Sequence, residues 1–133
     1  MNTITEIFGE PIYTYSRAQA LADGILVELP PEMVKEAGLK FPVAVTVAAY
    51  AETIKMNSRA ERALNDVTGR AWDVLWMLRN AAARATGETM FFTVLAVTPD
   101  GRGIKPRAVR LKAVCGPNDD MTPCITVMLP EED

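Results

Sequence analysis

VTGRAWDVLWMLRNAAARA, residues 67–85, is the stretch around which the rest of the chain is organised. At helical spacing Val67, Ala71, Val74, Leu75, Leu78, Ala82 and Ala85 fall on one stripe. Arg70, Asp73, Asn80 and Arg84 fall on the opposite side, with Met77 among them. Trp72 and Trp76 stand one turn apart on the flank between the two faces. Asp66 is placed to cap the N-terminus and Gly87 lies just past the end. Arg79 and Arg84 suit the negative end of the helix dipole. The plain expectation is that both indoles are core, because large aromatics are mostly buried. The sharper one puts Trp76 and Met77 on a partner-binding surface.

Downstream of this helix the pattern changes to period two. Met90 to Val97 shows little alternation and reads as a strand buried on both faces or central in its sheet. PDGRG at 99–103 is a turn. Ala108 to Cys115 alternates, with Val109, Leu111, Ala113 and Cys115 on one face and Arg110 and Lys112 on the other. After the loop GPNDD at 116–120, Cys124 to Leu129 is the last strand, and Pro123 at its start suits an edge. These strands predict an antiparallel meander.

Upstream, Ser16 opens a short helix over 17–23 that stops at Gly24, with Leu21 as its main core contact. Residues 25–28 form a short strand. Pro31 starts a helix that ends before Gly38. Residues 41–45 are either a second strand or an extended entry to a helix. Thr46 caps a helix running to about Lys55, with Val47, Tyr50, Ala51 and Ile54 as its stripe. Residues 59–65 add one or two helical turns. The expected architecture is a single α+β domain over residues 1–133, with helices on one face of a small antiparallel sheet. That sheet comprises the three-strand meander and the short N-terminal strand.

Composition narrows the function classes. The 133 residues carry a net charge of −3, too mild for a domain that works by neutralising phosphates and too small for a nucleic-acid mimic. The chain contains no histidine, so the commonest general acid/base and the commonest metal ligand are absent. Its two cysteines cannot make a structural zinc site alone. No apolar run approaches the roughly 20 residues that span a bilayer, and the N-terminus lacks the pattern of a signal peptide. A reduced, cytoplasmic setting is the expectation, with no catalytic residue, cofactor or metal assigned. An enzyme using carboxylates or a cysteine is a third possibility, which a deep pocket holding several carboxylates would support.

Each candidate site has a plain alternative. With Cys115, Ile125 and Val127 turned inward, Cys124 points outward, and the two thiols stay free rather than forming a disulfide. Asn118, Asp119 and Asp120 lack the spaced ligands of a calcium loop and read as a turn. Tyr13, Tyr15, Ser16, Arg17 and Gln19 form a polar-aromatic cluster, either a contact surface or a helix cap with a solvated face. Asp73 with Arg70 and Arg79 reads as a helical ion pair. Arg102, Lys105, Arg107, Arg110 and Lys112 make the best positive patch, which binds an acidic partner or nucleic acid, or is a solvated strand face.

Three blocks carry a resemblance. They are IYTYSRAQALADGILVEL at 12–29, GRAWDVLWML at 69–78 and VRLKAVCGPNDDMTPCITVMLPEED at 109–133. Together they resemble a family of small proteins of unknown function from plasmids, integrative elements and phages. The resemblance implies a mobile-element accessory protein, and it brings no catalytic residues with it. The expectation is a non-enzymatic protein that binds and modulates a host protein, an anti-CRISPR-like inhibitor of defence being one form. The alternative is a plasmid maintenance or transfer protein that contacts nucleic acid through the basic strand. The candidate contact residues are Tyr13, Tyr15, Arg17, Trp76, Met77, Arg110 and Lys112.

Overall fold

A computed structural model describes residues 15–133. The elements run α1 (Arg17–Ala22), β1 (Leu26–Glu28), α2 (Pro31–Glu36), β2 (Val43–Thr46), α3 (Val47–Thr53), α4 (Ser58–Arg62), α5 (Val67–Arg84), β3 (Thr89–Ala96), β4 (Arg107–Pro117) and β5 (Pro123–Met128). The fold is α+β. One five-stranded sheet has the order β1-β2-β5-β4-β3.

The local signals act where the sequence puts them. Asp66 accepts from the Gly69 N–H and opens α5, Ser16 accepts from the Gln19 N–H and opens α1, and Thr46 accepts from the Ala49 N–H and opens α3. Pro31 stands in the first turn of α2, where a missing N–H costs nothing. Gly38 follows α2 with φ +91°, a conformation a side chain would strain. The space is also taken, since a Cβ there would lie 2.7 Å from Arg79 Nε.

The sheet is mixed rather than purely antiparallel. The meander β3-β4-β5 forms as expected, but β5 then pairs in parallel with β2, matching Val43 with Ile125 and Val45 with Val127. The ambiguous segment 41–45 therefore becomes a strand, and it joins β1 to the meander. Placing β5 inside the sheet also overturns the reading of Pro123 as an edge signal. Pro123 opens an interior strand opposite Pro117, where the ladder is ending and few N–H donors are needed.

β3 is instead an edge strand, with β1 at the other end of the order, which contradicts its expected central place. Its side chains alternate: Phe92, Val94 and Ala96 are buried, while Phe91 and Leu95 face water. Hydrophobic residues occupy both faces, so the sequence hides an alternation that burial makes plain.

One core fills the space between this sheet and α2, α3 and α5. Leu75, Leu78 and Val74 of α5 meet Leu111 and Ala113 of β4, Val43 and Val45 of β2, Val127 of β5, and Ile54 after α3. Leu75, Leu78, Leu111 and Ile54 have no exposed surface, and each contributes roughly 1.5–3 kcal/mol of burial. The ends of the predicted stripe, Val67 and Ala85, are exposed because the helix outruns the sheet. In α3 the buried positions are Ala49 and Thr53 rather than Val47, which is exposed in the first turn. The Thr53 hydroxyl is satisfied by the Ala49 carbonyl at 2.7 Å.

Not every helix lies on that face. Arg17 of α1 donates to Thr126 Oγ1 at 2.6 Å and to the Ile125 carbonyl at 3.0 Å. Thr126 alternates with Ile125 and Val127, so α1 lies against the opposite, outer face of the sheet. Its buried contact is the small Ala20 rather than Leu21, which is half-buried.

Candidate interaction surface

Two arginines fix the end of the β3–β4 hairpin, and the first departs from what helical spacing predicts. Arg70 falls on the polar side of the α5 wheel yet is 4% exposed. Its guanidinium donates to the carbonyls of Ile54 at 3.0 Å and Val97 at 3.1 Å and to Asn65 Oδ1 at 3.1 Å. Burial lowers its pKa from the usual value, with Asp73 opposing, and the same burial raises the Asp73 carboxyl. No ion pair joins Asp73 to Arg70 or Arg79 among the described residues, where Arg107 pairs instead with Asp100 at 3.3 Å.

Arg59 of α4 is 8% exposed. It donates to the carbonyls of Thr98 at 2.6 Å, Arg102 at 2.9 Å and Gly103 at 2.7 Å, and to that of Asp100. A planar fork of five donors suits a loop that turns its carbonyls inward. Gly101, with φ +107°, leaves room for the guanidinium, since a Cβ there would lie 3.2 Å from Nη1. No local pattern signals this role, because Arg59 lies in a short polar helix.

The outer face of the sheet divides into two halves. Over β1, β2 and β5 it is covered. Asp119 accepts from the backbone N–H groups of Arg17 and Ala18, both at 2.9 Å, and so ties α1 to the β4–β5 loop. The C-terminal tail folds back too, with Glu132 Oε1 accepting from Thr46 Oγ1 at 2.7 Å and from the Leu129 N–H at 2.8 Å. Cys124 lies on this outer face as predicted, opposite in sense to Cys115, and both thiols are free. It is nevertheless buried rather than outward in water. Burial pushes its thiol up, with Arg17 opposing.

Over β3 and the adjoining part of β4 no described element covers the outer face, and this half is bare among the described residues. Phe91 and Leu95 are 47% and 66% exposed. Thr93 lies between them, and Ala108 and Arg110 sit opposite Leu95 and Thr93 on β4. The Arg110 guanidinium lies 4.9 Å from the Phe91 ring centroid, a cation–π contact that holds the ring and the charge together.

The candidate contact residues thus separate. Tyr13 lies outside the described residues. Tyr15 donates to the Asp23 carboxylate beside α1, and Arg17 is committed to β5, so these two bind α1 rather than stand ready for a partner. Lys112 is half-buried and donates from Nζ to the Glu132 carbonyl. Arg110 belongs to the bare half. Trp72 packs against the core, but Trp76 is 52% exposed under Arg79, 5.9 Å from the ring centroid, and Met77 is exposed beside it. The plain expectation that both indoles are core therefore holds for Trp72 and fails for Trp76. Phe91 and Leu95 are missing from the candidates because their strand reads, from sequence, as buried on both faces.

A groove of about 570 Å³ runs between the segment after α2 and the end of α5. Phe41, Ala82 and Met90 line it with Lys40, Arg79 and Cys115. Its lining offers a thiol and two cations without a carboxylate or hydroxyl, so no base accompanies the thiol. Among the described residues no group of three or more Cys, Asp or Glu side chains could hold a metal ion, and no helix is long and apolar enough to cross a membrane.

The molecule is thus an α+β domain with a half-covered mixed sheet and a bare apolar edge. The family model described as "Family of unknown function (DUF6573)" matches residues 1–133, and the chain belongs to that family. No curated protein and no solved structure matches it.

Proposed function

We propose that this protein is a non-enzymatic binding protein that acts by docking another protein on the bare half of its sheet. One observation carries the reading: Phe91, Leu95 and Arg110 are exposed on one face of the paired β3 and β4, and the Arg110–Phe91 stack orders the charge. Exposed aromatic and aliphatic side chains beside an arginine have the composition of interface hot spots, where each truncation typically costs about 1–2 kcal/mol or more. The resemblance to mobile-element proteins supports a host-encoded protein as the target, including an effector of a defence system such as CRISPR. Nucleic acid is the weaker target. Lys112 is tied to Glu132 and Arg107 to Asp100, and the net charge is −3. The test is affinity capture of the tagged chain from host lysate, run in parallel with Phe91→Ser/Leu95→Ser and with Leu64→Ser, an exposed residue outside the sheet. The expected result is a protein retained by wild type and Leu64→Ser and lost from the double variant. Equal recovery by all three, or recovery of none, overturns the proposal.

A further inference from the structure

The free edge of β3 is a separate feature from the exposed face beside it, and its role is independent of whether that face docks a host protein. The Cys115 N–H donates to the Glu88 carbonyl at 2.7 Å, which sets the phase of the β3–β4 ladder. Since Glu88 bonds toward β4, so do Met90, Phe92, Val94 and Ala96 along the unbroken register. Thr89, Phe91, Thr93 and Leu95 therefore direct their N–H and C=O groups away from the sheet. Among the described residues no strand pairs with that edge. The usual protections are missing as well. Thr89–Ala96 contains no proline and no charged residue, and its pairing with β4 shows no bulge.

We propose that the partner of this edge is a second copy of the chain, paired antiparallel through β3 about a twofold axis at Thr93. Three observations single out a second copy and this register. Sequence symmetry comes first: with Thr93 opposite Thr93, Phe91 faces Leu95 of the second copy, and this happens twice on the outer face. A dyad at Phe92 would set Phe91 against Thr93, and one at Phe91 would leave Leu95 opposite Gly87. Charge comes second. An uncharged strand meets itself without repulsion, and the antiparallel sense brings Glu88, beside the start of β3, toward the 99–107 loop of the other copy, where Asp100 is paired with Arg107 and Arg102 and Lys105 leave a positive balance. The third is closure, because two edges of one kind satisfy each other and leave no β3 edge to recruit a further chain. The joined sheet has ten strands, with the two Phe91–Leu95 pairs flanking the Thr93 pair at its centre. Eight residues per copy fall short of the roughly 20–30 per side of a standard interface, so the association is weak and reversible.

Sedimentation equilibrium of the purified chain tests this. The mass is expected to rise from one chain toward two as concentration increases through the micromolar range. Thr93→Lys and Thr93→Glu each place like charges at the dyad and should raise the dissociation constant at least about tenfold. Mixing the two variants should restore the dimer, since opposite charges then meet at one position. Thr93→Pro removes an N–H that β4 does not use and should leave a folded monomer. Thermal melting of every variant confirms folding, and the two charged variants keep the test valid if the proline does not fold. A wild type that stays monomeric, a dimer indifferent to both charges, or no recovery on mixing overturns the proposal. None of these results depends on whether host protein is captured.

Discussion

Met128 and Leu95 project from the same outer face of one sheet, yet the first is 5% exposed and the second 66%. The difference is not one of residue type. It follows from what lies above each strand. Near Met128 the tail is held by the Lys112 bond to Glu132, and α1 is anchored on the same strand, β5, through Arg17 and on the β4–β5 loop through Asp119. Near Leu95 no described element crosses the sheet, and β3 is its last strand. A sheet face is thus core or contact surface according to the segments that return to it, and the described residues supply returning segments for one half.

The sharpest way to break that contrast is to truncate one side chain in each half. Met128→Ala should cost about 3 kcal/mol through lost burial and a residual cavity, whereas Leu95→Ala should stay within about 0.5 kcal/mol. Urea unfolding of both variants measures this, and equal costs would show that the two halves are equally packed. Arg59→Met probes the loop that ends the open half. It strands the carbonyls of Thr98, Arg102 and Gly103 and should cost about 2 kcal/mol. Amide exchange should then speed up across residues 98–103 while β5 stays protected.

A smaller effect separates two arginines of the outer face. Arg17→Ala should cost about 1 kcal/mol, because it loses bonds to Thr126 and Ile125 and loosens α1. Arg110→Ala loses an exposed cation–π contact worth about 0.5 kcal/mol, and thermal melts should rank the two in that order. The smallest effect concerns Asp73, which borders a small cavity with Leu95 and Ala96. Its folded pKa is raised, so between the unfolded value and the raised one the native state holds more protons and stability falls as pH rises. Asp73→Asn should therefore be slightly more stable than wild type at pH 7. That advantage should vanish below the unfolded carboxylate pKa, which a pH series of melts would show.

Several features are legible in the residues alone because they are local. The caps at Ser16, Thr46 and Asp66, the stop at Gly38, the stripe of Leu75 and Leu78, and the alternation of β4 all depend on neighbours a few positions away. The α+β class and the consecutive pairing of β3, β4 and β5 follow from them. Others depend on distant chain segments. No local pattern says that β2 will insert beside β5, so Pro123 reads as an edge signal and the sheet as purely antiparallel until the strand order is known. Arg70 sits on the polar side of its helix, and only the arrival of the carbonyls of Ile54 and Val97 makes that side an interior.

The sequence by itself settled the elements and the helix that anchors them, since turn chemistry and hydrophobic period act over a single turn or strand. Tertiary structure alone decided which strand is the edge, which half of the outer face is covered and which arginines are buried. Those outcomes depend on strand order and on segments returning from far along the chain, and Phe91 and Leu95 look like core residues until their strand proves to be the last one of the described sheet.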